Sequence, residues 1–305
     1  MKKAIVTGAT GFIGSWLVQE LLKNGVETTV VVRDRFKLLF EFRENPQCII
    51  VEKSIEELTV VDFKDLDYDV FFHLGWGGVA PEQKNEIKLQ LNNVSISLAA
   101  LELSKLLRCK KFIGAGTVAE YTLCNDIMDV REKQTPNDIY GAAKVSAHYF
   151  CEVRARQLEQ PFIWIIIPST FGERRTDNNI ITYTIKTLLK REKPIYGDLN
   201  QMWDFLYVEE VVRAIRLIGE KGYPGKVYGI GSGQYRMLRE YIESIRDIIN
   251  PTLELGIGEK KTLSSQIVSS CVNIYDLIHD TGFIPQISFE DGIKLTINSF
   301  AMAKL

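Results

Sequence analysis

The strongest constraint on the fold is a glycine-rich loop near the start of the chain, TGATGFIG at residues 7–14. The β-branched run before it predicts a strand, and the apolar residues of 15–23 recur at helical spacing. Between a strand and a helix, Gly8 permits a tight turn, Gly11 lets a pyrophosphate approach the backbone, and Gly14 allows close packing. The free N–H groups at the helix start then face the anion, so the loop predicts a dinucleotide site; the alternative is a glycine-rich connection without a ligand. The other cofactor contacts predicted in this loop are Thr10, Phe12 and Ile13.

Further apolar runs alternate with amphipathic stretches along the first half of the chain. The runs that predict strands are 28–32, 70–74, 110–115 and 162–167. Strands that are apolar on both faces indicate a parallel sheet covered by helices on both sides. The sequence therefore predicts an α/β fold with a Rossmann doubly wound parallel sheet.

The regular alternation weakens after Pro168, where polar loops and a charged C-terminal third follow. We expect this part to form a smaller substrate-binding region over the carboxyl edge of the sheet, where ligands bind in such folds. Residues 1–168, with about 204–232, are predicted to form the dinucleotide-binding domain. Residues 169–203 and 233–305 are predicted to form the substrate-binding domain.

Composition argues against several other classes of partner. The 305 residues carry a formal net charge of -2 without a long run of like charges, so nucleic acid is not an expected partner. No segment reaches the ~18 apolar residues of a membrane span, and the first residues lack the features of a secretory signal. The 5 cysteines are scattered without a C-x-x-C pair, which predicts neither disulfides nor a metal site. We expect a soluble cytoplasmic protein without a bound metal.

The end of the second predicted strand bears on the choice of cofactor. In dinucleotide-binding folds an acid at this point binds a ribose 2′-hydroxyl, whereas an arginine accommodates a 2′-phosphate. Here the basic residues Arg33, Arg35 and Lys37 surround Asp34. Because a guanidinium pairs bidentately with phosphate and an acid repels it, NADP is predicted, with NAD as the alternative. The alternative is that these residues have no role in binding and form a solvated run of charges after the strand.

The sequence YGAAK supplies a candidate catalytic pair. Tyr140 and Lys144 are four residues apart, which places them on one face of a helix. A neighbouring ammonium favours the phenolate and brings the phenol pKa closer to neutral pH. Such pairs are common on helix surfaces, but together with the glycine loop this one predicts acid/base chemistry.

These motifs carry a resemblance that extends over nearly the whole chain. The chain resembles the extended short-chain dehydrogenases/reductases of the NAD-dependent epimerase/dehydratase family in TGATGFIG, FFHLG, Asn93-Val94, YGAAK, KPIYGDLNQMWDFLYVEEVVRAI and TGFIPQISFEDGIK. In that family an active-site Ser or Thr lies four residues before a Tyr, and alignment on Tyr121 places Thr117 there. The resemblance thus implies a catalytic triad of Thr117, Tyr140 and Lys144, with the lysine also contacting the nicotinamide ribose. It further implies a homodimer through a four-helix contact and the cofactor contacts Ser54, Ile55, Leu74, Gly75, Tyr140, Lys144 and Pro168.

Departures from the family pattern narrow the reaction. Common sugar 4,6-dehydratases resemble the chain here but carry Asp and Glu where Val118 and Ala119 stand, so that dehydration is disfavoured. Glu120 is interpreted as structural, because a continuing strand would turn it to the opposite side. His73 is expected to be a structural histidine of a core strand, and no second acid/base pair for epimerisation at carbons 3 and 5 is evident.

Two hydride-transfer reactions and one binding function stay open. We expect an NADPH-dependent 4-ketoreductase of a nucleotide-activated 4-keto-6-deoxy sugar, because Arg33 favours an exchanging NADPH. The alternative is a nucleotide-sugar 4-epimerase with tightly bound NAD. A catalytically silent dinucleotide-sensing protein is the alternative of another class, against which the intact triad argues.

Substrate contacts are inferred from the same resemblance. Trp203 stands where relatives often have an Arg that holds a diphosphate, so this contact is missing or comes from Arg174, Arg175 or Arg236. The indole either stacks on the ligand or packs in the core. The predicted substrate-binding residues are Ser169, Arg174, Trp203 and Arg236.

Overall fold

The computed structural model describes residues 1–121, 127–260 and 270–302. Its strands are β1 Lys3–Thr7, β2 Glu27–Val32, β3 Cys48–Glu52, β4 Val70–His73, β5 Lys111–Thr117, β6 Ile127–Met128, β7 Phe162–Ile167, β8 Ser169–Phe171, β9 Met202–Trp203, β10 Phe205–Tyr207, β11 Val227–Gly229, β12 Arg236–Met237 and β13 Cys271–Val272. Its helices are α1 Phe12–Lys23, α2 Phe40–Arg43, α3 Ile87–Leu106, α4 Ile139–Leu158, α5 Ile180–Leu189, α6 Val208–Lys221, α7 Leu238–Ile249, α8 Tyr275–Thr281 and α9 Phe289–Met302.

The large sheet has 7 parallel strands in the order β11-β7-β5-β4-β1-β2-β3. The chain runs outward from β1 to β3, returns to β4 beside β1, and then runs outward on the other side. The gap between β1 and β4 is therefore a topological switch point, the usual ligand site of an open α/β sheet. The predicted doubly wound α/β fold is confirmed. The apolar runs do not predict β3 and β11, because β3 is an edge strand with mixed exposure and β11 has only 3 residues.

Helices cover both faces of this sheet, because side chains alternate from one face of a strand to the other. In β1, Ala4 and Val6 belong to the core that includes Leu17 of α1 and Ile215 of α6. Ile5 belongs to the opposite core, which is packed under α3 and α4. These two cores hold the carboxyl ends of β1, β4 and β5 side by side.

Short strand pairs attach the remaining segments at this carboxyl edge. β8 pairs with β10 in parallel, β9 pairs with β12 in antiparallel orientation, and β6 pairs with β13. The β8–β10 pair joins segment 169–203 to segment 204–232, which the sequence assigns to different domains. That division into two domains stays a prediction.

In the described ranges, no helix has the length and apolar character needed to cross a lipid bilayer. The cysteines described there, Cys48, Cys109, Cys151 and Cys271, are buried free thiols. The location expected from the sequence stays a prediction.

Candidate functional site

The glycine loop follows β1 at the switch point. Gly8 has a φ of +75°, and a Cβ on it would lie 2.8 Å from Gly75 N. A Cβ on Gly14 would clash with the carbonyl oxygen of Gly8, so only glycine lets α1 lie against the turn. Gly11 precedes α1 and provides no side-chain cap, which leaves the first N–H groups of the helix available. The loop thus forms an anion cradle suited to a pyrophosphate.

A buried histidine connects this loop to the end of β4. The Thr7 hydroxyl lies 2.9 Å from His73 Nδ1 and also accepts a hydrogen bond from Gly75 N at 3.1 Å. His73 Nε2 lies 3.1 Å from the Ser97 hydroxyl, and burial lowers the histidine pKa to about 3. His73 is therefore a neutral structural residue, as the sequence indicates, and it fixes Leu74 and Gly75 beside the cofactor loop.

At the end of β2, the two residues of the predicted cofactor site, Arg33 and Asp34, have different surroundings. Asp34 accepts a hydrogen bond from Phe36 N at 2.9 Å and caps the short turn that follows. Arg33 is exposed, and no carboxylate of the described chain pairs with it. Ser54 and Ile55 begin the segment after β3, where the Ser54 hydroxyl donates to a neighbouring glutamate. Arg33 is thus free to meet an anion at this edge, as are the exposed Arg35 and Lys37 that follow it.

The structure brings the three residues of the predicted catalytic triad together. β5 ends at Thr117, and Asp138 caps the start of α4 through a backbone N–H. The side chain of Thr117 lies next to that of Tyr140, close enough for the threonine hydroxyl to favour the tyrosine phenolate. One turn further, Lys144 Nζ donates to the carbonyl oxygen of Ala115 at 2.6 Å. The carboxyl end of β5 and the first two turns of α4 therefore form a hydroxyl pair next to a buried ammonium.

Burial dominates the electrostatics of this pair. It raises the pKa of Tyr140 to about 12, and the side chain of Thr117 acts to lower it. From the sequence, this opposing role is expected of the Lys144 ammonium. Burial lowers the pKa of Lys144 itself, and the Glu120 carboxylate acts to raise it. Tyr140 is accordingly protonated at neutral pH and can donate a proton.

Two residues beside the triad are not predicted from the sequence. Trp76 follows β4, and its ring centroid lies 3.7 Å from Lys144 Nζ and 6.2 Å from the ring centroid of Tyr140. Lys84 Nζ lies 5.1 Å from the centroid of the Tyr140 ring. The signal that could have identified Trp76 is its position just after a parallel strand, at the ligand-binding edge.

A cavity of about 230 Å³ lies next to the triad, between the sheet edge and the C-terminal segments. Val118, Ala119 and Met128 give it an apolar wall. The predicted substrate residues Ser169 and Trp203 line it as well, from β8 and β9. The positions that carry carboxyls in the dehydratase pattern thus face this cavity without any acid. Pro168 lies between β7 and β8 at the same edge.

Two polar atoms of the cavity residues have no hydrogen-bond partner within the described ranges. Trp203 Nε1 and the Ser270 hydroxyl are both buried and unpaired, and the two residues form a parallel bridge. An unpaired buried polar group costs about 1–3 kcal/mol. Such atoms are suited to hydrogen-bond a ligand that enters the cavity. Ser270 was not identifiable from the sequence, because it contacts Trp203 only through the fold.

Of the three candidate arginines, Arg175 is the one that reaches the ligand region. It lines an adjoining cavity of about 340 Å³ together with Ser169 and Trp203. Arg174 stacks over Trp16 at 4.4 Å instead. Its guanidinium also contacts Gln19 and Glu41.

Arg236 lies across the β9–β12 pair from Trp203, where it forms an ion pair with Glu290 at 2.6 Å. Neither Arg174 nor Arg236 is part of the walls of these two cavities. All three arginines have a carboxylate partner, which for Arg175 is Asp177. It is therefore their position outside these two cavities that leaves the predicted substrate contacts of Arg174 and Arg236 unsupported.

Comparisons with known proteins agree with this architecture. A family model described as "Epimerase: NAD dependent epimerase/dehydratase family" matches residues 4–231. A dTDP-D-glucose 4,6-dehydratase of Dictyostelium discoideum is 26% identical over 255 residues, which cover 76% of this chain and 58% of that protein. A CDP-abequose synthase of Salmonella muenchen is 24% identical over 309 residues, with 96% of each chain covered. The structure of a UDP-N-acetylglucosamine 4-epimerase from Methanobrevibacter ruminantium superposes with a TM-score of 0.87 at 23% identity, covering 100% of this chain and 99% of that one.

Proposed function

The chain belongs to the NAD dependent epimerase/dehydratase family, and we propose that it reduces the 4-keto group of a nucleotide-activated 4-keto-6-deoxy sugar with NADPH. One observation carries this proposal. The neighbouring side chains of Thr117 and Tyr140 stand beside a cavity whose wall contains Val118 and Ala119 in place of two carboxyls. Such a site can protonate an oxygen but lacks, at positions 118 and 119, the two carboxyls that eliminate water in the dehydratase pattern. Asp138 also lines the cavity, but its carboxylate accepts a hydrogen bond from Gly141 N as the cap of α4.

The residues at the edge of β1 and β2 fit a phosphorylated dinucleotide. The loop from Gly8 to Gly14 offers backbone N–H groups at a helix start, which suits a pyrophosphate. Arg33 is exposed and unpaired with any described carboxylate, which suits a 2′-phosphate, while Asp34 is engaged by Phe36 N. We therefore propose NADP rather than NAD.

The triad has a distinct task for each member. When bound, NADPH supplies a hydride to carbon 4 of the sugar. Tyr140 donates its phenolic proton to the carbonyl oxygen, and Thr117 hydrogen-bonds and orients that oxygen. Lys144 is held against Ala115 and provides the positive charge that favours the phenolate left behind.

The cavity walls support a deoxy sugar. Val118, Ala119 and Met128 form an apolar part of the wall that suits a methyl group at carbon 6, while Lys84 and Asp138 belong to the polar part of the lining. Trp203 Nε1 and the Ser270 hydroxyl can bind polar groups of the sugar or base. In the adjoining cavity, Arg175 is the candidate contact for the diphosphate.

The test combines cofactor titration with a substrate panel. The purified protein is titrated with NADPH and NADH, then incubated with UDP-, dTDP-, CDP- and GDP-linked 4-keto-6-deoxy sugars. We expect tighter binding of NADPH and its oxidation by at least one substrate. If the protein instead carries stoichiometric NAD and interconverts nucleotide sugars at carbon 4 without added cofactor, it is a 4-epimerase. This is the second candidate, because the chain shares its fold with a solved 4-epimerase. Cofactor binding without turnover on the entire panel would support a sensing protein.

We also propose that the protein is a homodimer. An apolar groove between α3 and α4 is lined by Leu98 and by the exposed side chains of Tyr149, Phe150 and Val153. These helices include the one that carries Tyr140, so this face fits a four-helix contact between two copies. Sedimentation of wild type and Phe150→Glu tests this, with dissociation of the variant as the expected result.

A further inference from the structure

A buried carboxylate lies directly beneath the catalytic threonine. Glu120 has no exposed surface, and its Oε1 accepts a hydrogen bond from Thr117 N at 2.9 Å. The same carboxylate accepts the indole N–H of Trp164 at 3.3 Å and lies 3.5 Å from the amide nitrogen of Gln134. The side chain of Glu120 therefore points neither to the opposite side of the sheet nor to solvent. It turns back under Thr117.

The strand that carries Thr117 is built to leave room for this carboxylate. A Cβ on Gly116 would clash with both Glu120 Oε1 and Trp164 Nε1. A Cβ on Gly114 would clash with the ring of Trp164. The two glycines of β5 therefore leave a volume that the Trp164 indole and the Glu120 carboxylate occupy. The indole N–H donates a hydrogen bond to the carboxylate there.

The residue between these glycines holds the catalytic lysine. Lys144 Nζ donates to the carbonyl oxygen of Ala115, so the ammonium is fixed on the same three-residue stretch that accommodates Glu120. Burial raises the pKa of Glu120 and lowers that of Lys144. The opposite charge of each group counteracts that effect on the other. The carboxylate of Glu120 and the ammonium of Lys144 therefore each favour the charged form of the other.

Burial keeps several other titratable groups around this pair neutral at pH 7, and two more groups lie on the side of the tyrosine. Burial lowers the pKa of His73 on β4 to about 3 and that of His148 on α4 to about 4. Burial also raises the pKa of Cys151 on α4 to about 12. On the side of the tyrosine, the Asp138 carboxylate acts on Tyr140 from the helix cap, and Lys84 Nζ lies 5.1 Å from the centroid of its ring.

We propose that Glu120 is a positioning residue of this site: its carboxylate fixes the backbone of Thr117 and provides the negative counter-charge for the buried Lys144. The inference rests on the proposed function for the meaning of that charge in turnover, whereas the coupling between the two groups does not depend on the substrate. Glu120 is accordingly a fourth member beside the three residues of the triad. It acts through Thr117 and Lys144 and touches neither substrate nor cofactor.

The direction of the effect follows from the sign of the charge. Without the negative charge of Glu120, Lys144 releases its proton at a lower pH. The alkaline limb of kcat/KM for ketone reduction then moves to lower pH by at least about one unit, a usual size for the effect of one close charge. Glu120→Asp keeps the charge and should retain the alkaline limb, while its shorter side chain lowers kcat.

The first measurement does not require activity. In protein with ¹³Cε-labelled lysine, the resonance of Lys144 is identified by its absence from Lys144→Met. Its titration is compared between wild type and Glu120→Gln, a substitution that keeps an acceptor for Thr117 N. A lower inflection in Glu120→Gln is expected, and superimposable titrations overturn the inference.

The control and a second measurement keep failure interpretable. Glu210→Gln is an equally buried change, since Glu210 accepts hydrogen bonds from Gln286 N and Ile287 N. It should leave the Lys144 titration and the pH profile unchanged. If Glu120→Gln does not fold, both groups are titrated in wild-type protein that carries ¹³C-labelled glutamate Cδ. Titration curves of Glu120 and Lys144 that share their inflections support coupling, and curves with independent inflections overturn it. A shifted Lys144 titration in a protein that reduces none of the sugars would contradict the proposed function alone.

Discussion

The side chains of Thr117 and Tyr140 are neighbours, although they are separated by 22 positions, among them a segment outside the described residues. The contact joins the end of a central strand to the first turn of the helix that packs over it. Because both elements are anchored in one core, the two hydroxyls are held in place before any substrate arrives. Preorganisation of this kind is what proton transfer to a bound oxygen requires.

Tyr140→Phe should remove the proton donor and leave the ring in place. We expect kcat to fall by roughly 10²–10⁴, the usual contribution of a positioned acid, with little change in the NADPH dissociation constant. Thr117→Val should cost about 100-fold in kcat, whereas Thr117→Ser should stay near wild type. Steady-state kinetics with fluorescence titration of NADPH provides the measurement. Substantial turnover by Tyr140→Phe would contradict its assigned role.

Arg33→Ser should discriminate between the two cofactors. Loss of a charge-assisted contact to the 2′-phosphate is expected to raise the dissociation constant of NADPH roughly 10-fold to 100-fold. The dissociation constant of NADH, which lacks this phosphate, should change little. Arg35→Ser is the matched control in the same charged segment. If both variants weaken NADPH and NADH equally, Arg33 does not select the phosphate.

Trp203→Phe should test the unpaired indole N–H of the cavity. The variant keeps an aromatic ring but loses the donor, so KM for the nucleotide sugar should rise ~5-fold to 10-fold, as expected for one neutral hydrogen bond. kcat and KM for NADPH should stay near their wild-type values. An unchanged sugar KM would mean that Trp203 only packs, which is the alternative left open by the sequence.

Gly116→Ala should destabilise the fold through the volume that Glu120 and Trp164 occupy. Both neighbours are buried and hydrogen-bonded, so we expect the free energy of unfolding to fall by about 2 kcal/mol or more. Gly225→Ala is the comparison, because Gly225 has a φ of +83° and nothing within 4 Å of an added Cβ. It should cost only the ~1 kcal/mol of a left-handed backbone. Urea unfolding of the two variants decides between a steric and a purely conformational origin.

The sequence predicts those parts of the site that depend on local spacing. Gly8 and Gly14 mark their turn directly, and Tyr140 and Lys144 share a helix face because they are one turn apart. Arg175 and Ser270 are different, because their positions at the cavity depend on how the C-terminal segments fold back over the sheet. Nothing in the local pattern distinguishes Arg175 from its neighbour.

Glu120 marks the limit of the alternation rule. A strand continuing past Thr117 would have turned its side chain away, but β5 ends there and a 3-10 turn follows. The turn redirects the carboxylate under the preceding residue. The interpretation of Glu120 as structural is therefore right about its burial but omits its contact with Thr117 and its charge on Lys144.

The glycines of β5 also constrain how this chain can evolve. The space that Gly114 and Gly116 leave is useful only while Trp164 and Glu120 fill it, and those two side chains fit only while the glycines remain. A replacement at any of the four positions leaves a void, a collision or an unsatisfied charge. Viable descendants should consequently exchange these residues together rather than one at a time, so that the four positions are inherited as a block.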